Sequence, residues 1–257
     1  ENNDVQARYL DTQNKITDVI GLERHELVFR WRQRVGDASQ LQVTSSGAWQ
    51  AQDSIYFHGY DYRNGDFLSF QELRLTTPVG DDHVLALGFD GRLQDMQSQS
   101  QKLYAVKKLP ADDFRFRNVA LYAQDTWTLG DRHEIAAAVR ADALSLRWPA
   151  QGRDVERVLL SPRLNWKWSH DEHWTSRVSY GRGYRPPLSF FESQHGLSEI
   201  GFNVGLTDIE TSHSLGYSAH YVGGPWELSA GAFGTLIENL AYAEEAMQVG
   251  DPATFRN

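Results

Sequence analysis

Charged side chains alternate with apolar ones in several segments of the chain. Arg140 and Asp142 flank Ala141, and Arg163, Lys167 and Arg177 alternate in the same way with apolar neighbours. A period of two puts alternate residues on opposite faces of a β-strand. These five charged residues are therefore predicted to share one face, where they could form ion pairs and hydrogen bonds with a polar partner.

A second group of chemically capable residues lies in the segment 183–208, which is rich in aromatic rings. Rings and guanidinium groups can stack on and pair with an anionic metal chelate. The candidate ligand contacts are Tyr184, Arg185, Phe190, Phe191, Glu192 and His195. The alternative, that the aromatic residues and Arg185 pack this segment onto the fold, stays open. Glu192 and His195 have a spacing that could hold a metal on one helical turn, but a solvated loop is the simpler interpretation, and no metal site is predicted.

Enzyme motifs are incomplete in this sequence. The segment 133–137, His-Glu-Ile-Ala-Ala, lacks the second histidine of a zinc-protease helix, and no Gly-x-Ser-x-Gly nucleophile elbow occurs. We therefore predict no catalytic residues, no cofactor and no enzyme activity. One alternative stays open, a small outer-membrane barrel protease of the omptin type, in which Asp208 and His213 would supply the catalytic groups.

Composition excludes several other classes of protein. The chain has 257 residues with a formal charge of −9, and it contains no long basic run, so a nucleic-acid partner is not expected. No segment approaches the run of about eighteen apolar residues that a membrane-spanning helix needs. The absence of cysteine excludes disulfides and thiolate chemistry. A β-protein remains, either soluble or a membrane barrel that exposes alternate apolar residues to lipid.

Hydrophobic periodicity predicts strands nearly throughout the chain. Ten are predicted, at 24–34, 39–52, 67–77, 83–95, 116–128, 133–147, 157–168, 173–182, 209–222 and 226–239. Short turns rich in glycine and aspartate join them in pairs, and longer segments at 53–66, 96–115, 148–156 and 183–208 separate the pairs. Alternation of short turns with long loops is typical of an outer-membrane barrel, whose short turns face the periplasm.

Tryptophan positions support a membrane barrel. Most of these residues lie within about five positions of a predicted short turn, where indole rings would form a girdle at the headgroup boundary. They are Trp31, Trp127, Trp166, Trp168, Trp174 and Trp226. A soluble β-sandwich with these rings in its core is the alternative.

The predicted topology leaves both ends of the chain on the extracellular side. If the short turns are periplasmic, residues 1–23 and 240–257 are extracellular, whereas complete barrels start and end in the periplasm. We therefore predict an all-β, antiparallel up-and-down transmembrane barrel, of which residues 1–257 form an interior segment of about ten strands from a larger barrel.

Five segments resemble TonB-dependent outer-membrane receptors in the order that this family shows. They are Leu121–Arg132, Ala138–Asp142, Ser179–Pro187, Glu210–Gly216 and Trp226–Leu240. Before residue 116 the resemblance rests on strand rhythm alone. The N-terminal plug domain and the closing C-terminal strands of the family are not in this chain.

The resemblance implies that the larger barrel has about 22 strands and that it is an active transport receptor in the outer membrane of a Gram-negative bacterium. Such a receptor binds a scarce solute outside the cell, most often a ferric siderophore or another metal chelate, and imports it with energy from the TonB–ExbB–ExbD complex. It also implies contacts with the lipid bilayer and lipopolysaccharide, and a plug that faces Arg140, Asp142, Arg163, Lys167 and Arg177. A passive porin is a further alternative.

Overall fold

Ten long strands form one antiparallel sheet in the computed structural model, which describes residues 19–56, 60–99, 113–186, 202–244 and 253–257. They are β1 (Val19–Val35), β2 (Ser39–Tyr56), β3 (Tyr60–Val79), β4 (His83–Gln99), β5 (Phe114–Leu129), β6 (His133–Trp148), β7 (Arg153–Ser169), β8 (Trp174–Arg185), β10 (Glu210–Gly223) and β11 (Trp226–Glu238). Successive long strands are neighbours in space, so the up-and-down all-β fold is confirmed and two stacked sheets are excluded. Over the described residues the sheet is open, with β1 and β11 at its edges.

A small sheet lies beside the large one. It consists of β9 (Phe202–Val204), β12 (Tyr242–Glu244) and β13 (Ala253–Arg256), with β13 in the middle. The predicted C-terminal loop therefore contains two short strands. A single 3-10 turn, Pro149–Gln151, separates β6 from β7. None of the helical segments described reaches the length and apolarity that a membrane-crossing helix requires.

The two faces of the large sheet differ in polarity. The register places Asp90, Ala120 and Asp142 side by side on the face where buried side chains collect, which we call the inner face. On the outer face Leu121 and Leu160 flank Ala141, and Val139 lies opposite Ala123. Leu121, Val139 and Leu160 are 63%, 44% and 53% exposed. Large apolar side chains on a contiguous exposed face are what lipid contact requires.

The tryptophans predicted for the girdle all lie on the outer face near the short turns. Their exposed fractions range from 37% for Trp127 to 66% for Trp226. Trp49 is also exposed but lies near the opposite end of its strand, whereas Trp148 is 1% exposed and belongs to the inner face. Six amphipathic rings at one level match the boundary between hydrocarbon and headgroups.

Two of the four predicted long loops are wrong. The predicted loop 53–66 is mostly strand, since β2 extends to Tyr56 and β3 begins at Tyr60, and β7 begins at Arg153 after a connection of four residues. Charged pairs stabilise these extensions, among them Arg63 with Asp53 at 3.3 Å and Arg147 with Glu156 at 3.2 Å. The sequence pattern missed them because apolar alternation stops where a strand rises beyond the hydrocarbon, although backbone pairing continues.

Backbone geometry explains the residues of the short turns. Gly36, Gly80, Gly130 and Gly224 have φ angles between 55° and 68°, a left-handed conformation that is costly for other residues. The turn between β7 and β8 instead relies on Asp171, whose Oδ1 accepts hydrogen bonds from the backbone N–H groups of His173 and Trp174, each at 2.8 Å. These bonds favour the ionised carboxylate and lower the pKa of Asp171.

Acidification should loosen the turn at Asp171. Because the pKa of this carboxyl is lowered by folding, its contribution is present above its ordinary pKa of about 4 and is lost as the pH falls through the lower folded value. We expect amide exchange at His173 and Trp174, corrected for intrinsic rates, to accelerate below about pH 4 in the natural protein. Asp171→Asn should show no such acid-dependent step, and the same step in this variant would contradict the assignment.

Adjacent positions on opposite faces should tolerate a new carboxylate very differently. Val139→Asp places the charge in lipid, at a cost on the order of 1–3 kcal/mol. Ala138→Asp places the same group on the inner face, in a cavity also lined by Arg74 and Arg163. Heat-modifiable gel mobility of the membrane fraction should show poor assembly of the first variant and near-normal assembly of the second. Equal assembly would contradict the assigned facing.

Candidate functional site

A buried ionic cluster lies on the inner face where β4, β5, β6 and β8 approach each other. The guanidinium group of Arg140 contacts both carboxylate oxygens of Asp90 and, through Nε, both oxygens of Asp142 at 3.0 Å. Asp142 Oδ1 also accepts from Asn118 Nδ2 at 2.8 Å and from the Tyr184 hydroxyl at 2.9 Å. Both carboxylates are buried, so several donors replace the water that they lose.

Small residues make the cluster geometrically feasible. Ala120 lies opposite both Asp90 and Asp142 and leaves room for Arg140 to reach the two carboxylates. One step along, the ring of Tyr122 lies across Gly88, where a Cβ atom would stand 2.1 Å from the ring. The Tyr122 hydroxyl thereby reaches Glu72 Oε1 on β3 at 2.6 Å. Alternation predicts the shared face, but it does not predict which partners meet.

The predicted inner-face cations do not all enter this cluster. Arg163 lines a cavity of about 500 Å³ together with Arg74, Arg92 and Arg182. Lys167 and Arg177 lie opposite each other in the register, nearer the short turns, and line a second cavity of about 680 Å³ with Glu134. Within the described ranges Arg163, Lys167 and Arg177 have no carboxylate within 4.0 Å. Their charges remain available to a group inside the barrel.

The candidate ligand residues are only partly within the described chain. Phe190, Phe191, Glu192 and His195 lie outside the described residues. Tyr184 bonds to Asp142, and its ring packs against a buried apolar cluster. This position was not expected from alternation, which would put Tyr184 on the same face as Tyr180. The pairing of β8 with β7 ends at Arg163–Gly181, and beyond that point the Tyr184 side chain turns to the inner face.

Arg185, the other described member of this group, forms an ion pair within the protein. One of its guanidinium nitrogens lies 2.8 Å from Glu210 Oε2, a carboxylate that is largely buried while the arginine is exposed. An exposed Arg beside a buried acid is a weak, solvent-screened pair. The arginine therefore retains exposed N–H groups for a further acceptor.

An apolar cluster covers the upper inner face, at the end opposite the short turns. It joins inner-face residues of the large strands to residues of the small sheet and the segment before β10. Its members are Met96, Phe114, Phe116, Leu144, Leu146, Trp148, Val155, Val204, Leu206, Ile209 and Phe255. The sequence analysis predicted charged residues on the inner face but not this dry region, although Phe114, Phe116, Leu144 and Leu146 share the parity of the inner charges.

Polar contacts at Thr207 and Asp208 hold the segment before β10, which covers the apolar cluster, to the barrel wall. Arg157 on β7 bonds to Asp208 Oδ1 at 2.9 Å and to the carbonyl of Thr207 at 2.7 Å. Asn257 accepts from the Thr207 backbone N–H at 3.1 Å and donates to the carbonyl of Asp208 at 2.8 Å. The chain around residue 208 is therefore fixed from two sides.

The two groups suggested for protease chemistry have other partners, and the pair suggested for a metal, Glu192 and His195, lies outside the described residues. Asp208 is engaged by Arg157, whereas His213 Nδ1 lies 2.9 Å from the hydroxyl of Tyr180. Among the residues that the structure describes, no three His, Asp or Glu side chains are grouped to bind a metal. The described site consists of fixed charges, hydroxyls and aromatic surface, which are groups that can bind a polar or aromatic partner.

One open sheet with an apolar outer face, a tryptophan girdle and a charged inner face defines the wall of a transmembrane β-barrel. The family profile described as TonB dependent receptor-like, beta-barrel matches residues 2–257, so the chain belongs to this family. The match also includes the region before residue 116. Members are transport proteins of the Gram-negative outer membrane and not enzymes, in agreement with the sequence analysis.

Solved structures of this kind share the fold. The FrpB iron transporter from Neisseria meningitidis is 13% identical with a TM-score of 0.69, over 87% of this chain and 38% of that one. The alcaligin receptor FauA from Bordetella pertussis is 17% identical with a TM-score of 0.63, over 93% and 41%. The ferric yersiniabactin uptake receptor FyuA from Yersinia pestis is 14% identical with a TM-score of 0.63, over 86% of this chain and 37% of that one. The chain thus spans about two fifths of these proteins. No curated protein sequence matches it significantly.

Loss of Arg140 should destabilise the barrel wall strongly. Arg140→Met leaves Asp90 and Asp142 buried without their cation, at a cost of about 2–4 kcal/mol, reduced from the fully buried case because Arg140 is partly exposed. Urea unfolding in detergent micelles measures the change. Arg163→Met is the matched control and should cost at most about 1 kcal/mol.

A rescue variant separates lost charge pairing from lost packing. Adding Asp90→Asn and Asp142→Asn to Arg140→Met removes the unpaired charges and should recover part of the stability. No recovery, together with an equal loss in Arg163→Met, would show that the ionic cluster has no special role.

Proposed function

We propose that this chain is part of an outer-membrane receptor that imports a scarce solute, a ferric siderophore or another metal chelate, with energy from the TonB–ExbB–ExbD complex. The observation that carries the proposal is one wall with an apolar outer face and an inner face bearing unpaired cations, in a chain of this receptor family. The iron, alcaligin and yersiniabactin names of similar structures favour a metal chelate as cargo.

The arrangement of inner charges supports a lumenal plug as a partner. Arg140 is neutralised within the wall by Asp90 and Asp142, so it adds rigidity rather than a docking charge. Among the described residues Arg163, Lys167 and Arg177 have no such partners, and they project from the same face. Acidic or carbonyl groups of a plug would satisfy them and add charge-assisted hydrogen bonds.

The open sheet supports the proposal that residues 1–257 are an interior segment of a larger barrel. Unpaired backbone groups at a strand edge cannot be left in hydrocarbon, so both β1 and β11 need further strands beside them. The coverage of about two fifths of the similar structures agrees with this size.

Outward-facing charges above the apolar band support contact with lipopolysaccharide. Arg115 with Asp95 and Arg147 with Glu156 form exposed pairs on the extensions of their strands. Arg117 lies at the upper border of the apolar band, in a shallow cavity that Val119 and Val158 also line. In the described part of the sheet it has no acidic partner within 4.0 Å. Its guanidinium could pair with a phosphate of the outer leaflet.

Energy-dependent uptake tests the proposed transport. Cells that express the receptor should accumulate radioactive ferric chelates in the presence of TonB and should only bind them at the surface in its absence. A panel of chelates with different chemistry identifies the cargo. Equal accumulation with and without TonB would indicate a passive porin and contradict the proposal.

Variants in the segment after β8 should separate ligand contacts from structural residues. Replacing Phe190, Phe191 and His195 together by Ala should weaken surface binding at least about tenfold if these residues contact the chelate. Tyr184→Phe keeps the ring and removes only the hydroxyl that binds Asp142, so it should change binding less than about twofold. A larger effect of Tyr184→Phe would place that hydroxyl in the ligand site.

A further inference from the structure

An imidazole lies among the tryptophans of the girdle at the short-turn end. His133 pairs with Trp168 in the register of β6 and β7, and its ring lies 5.7 Å from Trp168 and 5.9 Å from Trp166, measured between centroids. The two indoles are stacked on each other at 5.9 Å and 3°. With His170, whose ring centroid lies 3.9 Å from that of Trp168, four rings thus form one continuous surface at the headgroup level of the outer face.

The hydrogen bond inside this group determines the tautomer of His133. Trp166 Nε1–H donates to His133 Nδ1 at 3.3 Å. An indole N–H can only donate, so Nδ1 must accept, and the neutral imidazole carries its proton on Nε2. In the part of the chain that the structure describes, the Nε2–H group has no acceptor. His133, with its tautomer fixed by Trp166, therefore presents its Nε2–H group as a hydrogen-bond donor at the membrane surface.

Other histidines at this end are already engaged. His83 stacks on Trp127 at 5.4 Å and 10°, but its Nδ1 lies 2.8 Å from the carboxylate of Asp125. His170 bonds to Ser176, and His173 Nδ1 donates to the carbonyl of Val222. The carboxylate of Asp125 beside His83 would repel an anion. At His133 the group that faces an anion is the Nε2–H donor of the imidazole.

We propose that His133, supported by Trp166 and Trp168, binds the phosphate of a glycerophospholipid in the leaflet on the short-turn side. Arg132, exposed in the adjoining turn, adds a cation, and its backbone carbonyl is fixed by the N–H of Ser169 at 2.8 Å. Two acidic residues lie close in sequence to this site. Asp131, in the same turn, is exposed to solvent, and Glu134 lies on the opposite face of the sheet. Indole rings favour the glycerol level of a bilayer, which places the lipid phosphate beside the imidazole. The inference rests on the membrane insertion in the proposed function, but not on the identity of the cargo.

Lipid binding to the folded receptor in detergent, measured by native mass spectrometry, tests this site. The probes are phosphatidylglycerol and diacylglycerol with the same chains, so that only the former carries a phosphate. His133→Ala should weaken phosphatidylglycerol binding about threefold to tenfold and leave diacylglycerol binding unchanged. His83→Ala is the matched control, a rim histidine on a tryptophan, and should change both by less than about twofold.

Trp166→Phe tests the tautomer argument directly. The variant keeps an aromatic ring but removes the N–H that fixes His133, so phosphatidylglycerol binding should fall as in His133→Ala. Heat-modifiable gel mobility confirms that each variant is folded. Unchanged binding in either variant, or equal losses in His83→Ala and His133→Ala, would overturn the proposed site. A natural protein that never partitions into membranes would overturn the proposed function instead.

Discussion

Backbone hydrogen bonding in a medium without water is the constraint on which the rest of this structure depends. Every N–H and C=O group that faces hydrocarbon must be paired within the protein, and strands achieve this only through their neighbours. Pairing between neighbouring strands from β1 to β11 satisfies most of the interior of the sheet, and it is interrupted between β7 and β8 above Arg163–Gly181. Once that pairing is fixed, each side chain faces either the lipid or the lumen. A register slip of one residue would move every side chain of the strand to the opposite face. The strict alternation of Val139 with Arg140 is the consequence.

The inner face has three regions along the length of its strands: an apolar region, an ionic cluster and a cavity lined by cations. Phe116 and Leu146, near the upper end, are buried under the small sheet and exclude water. Below them Asp90, Arg140 and Asp142 neutralise each other within the wall. Further toward the short turns Lys167 and Arg177 remain unpaired over the described chain and line a cavity. Because buried ion pairs add little net stability compared with apolar packing, the middle cluster is better understood as fixing the relative positions of β4, β6 and β8 than as a source of strength.

The sequence was sufficient for the strand order, the facing of residues and the tryptophan girdle, because all three follow from a period of two and from the properties of indole. It was insufficient where the environment of a strand changes along its length. The segment 53–66 interrupts the apolar alternation with charged residues such as Asp53, Arg63 and Asp66, so it resembles a loop although most of it is paired. Tyr184 crosses to the inner face because β8 separates from β7 after Gly181, a local departure that no spacing rule contains. The contacts of Asp208 with Arg157, 51 residues apart, are equally invisible in sequence.

The dry upper region has a direct bearing on how a solute could pass along this wall. For the charged cargo proposed above, the surface of Phe116, Leu146 and Trp148 is unfavourable while the segment around Asp208 covers it, because desolvation without new partners costs several kcal/mol, on the order of the 2–7 kcal/mol found for polar groups. Passage along this wall therefore requires either a path past other strands of the barrel or displacement of the covering segment. Displacement would break the contacts of Arg157 with Asp208 and Thr207, which are exposed and weak, and would expose apolar surface, which is the larger cost. The upper inner face of β5 to β7 is thus closed by apolar packing, and Tyr184 packs against the border of that region.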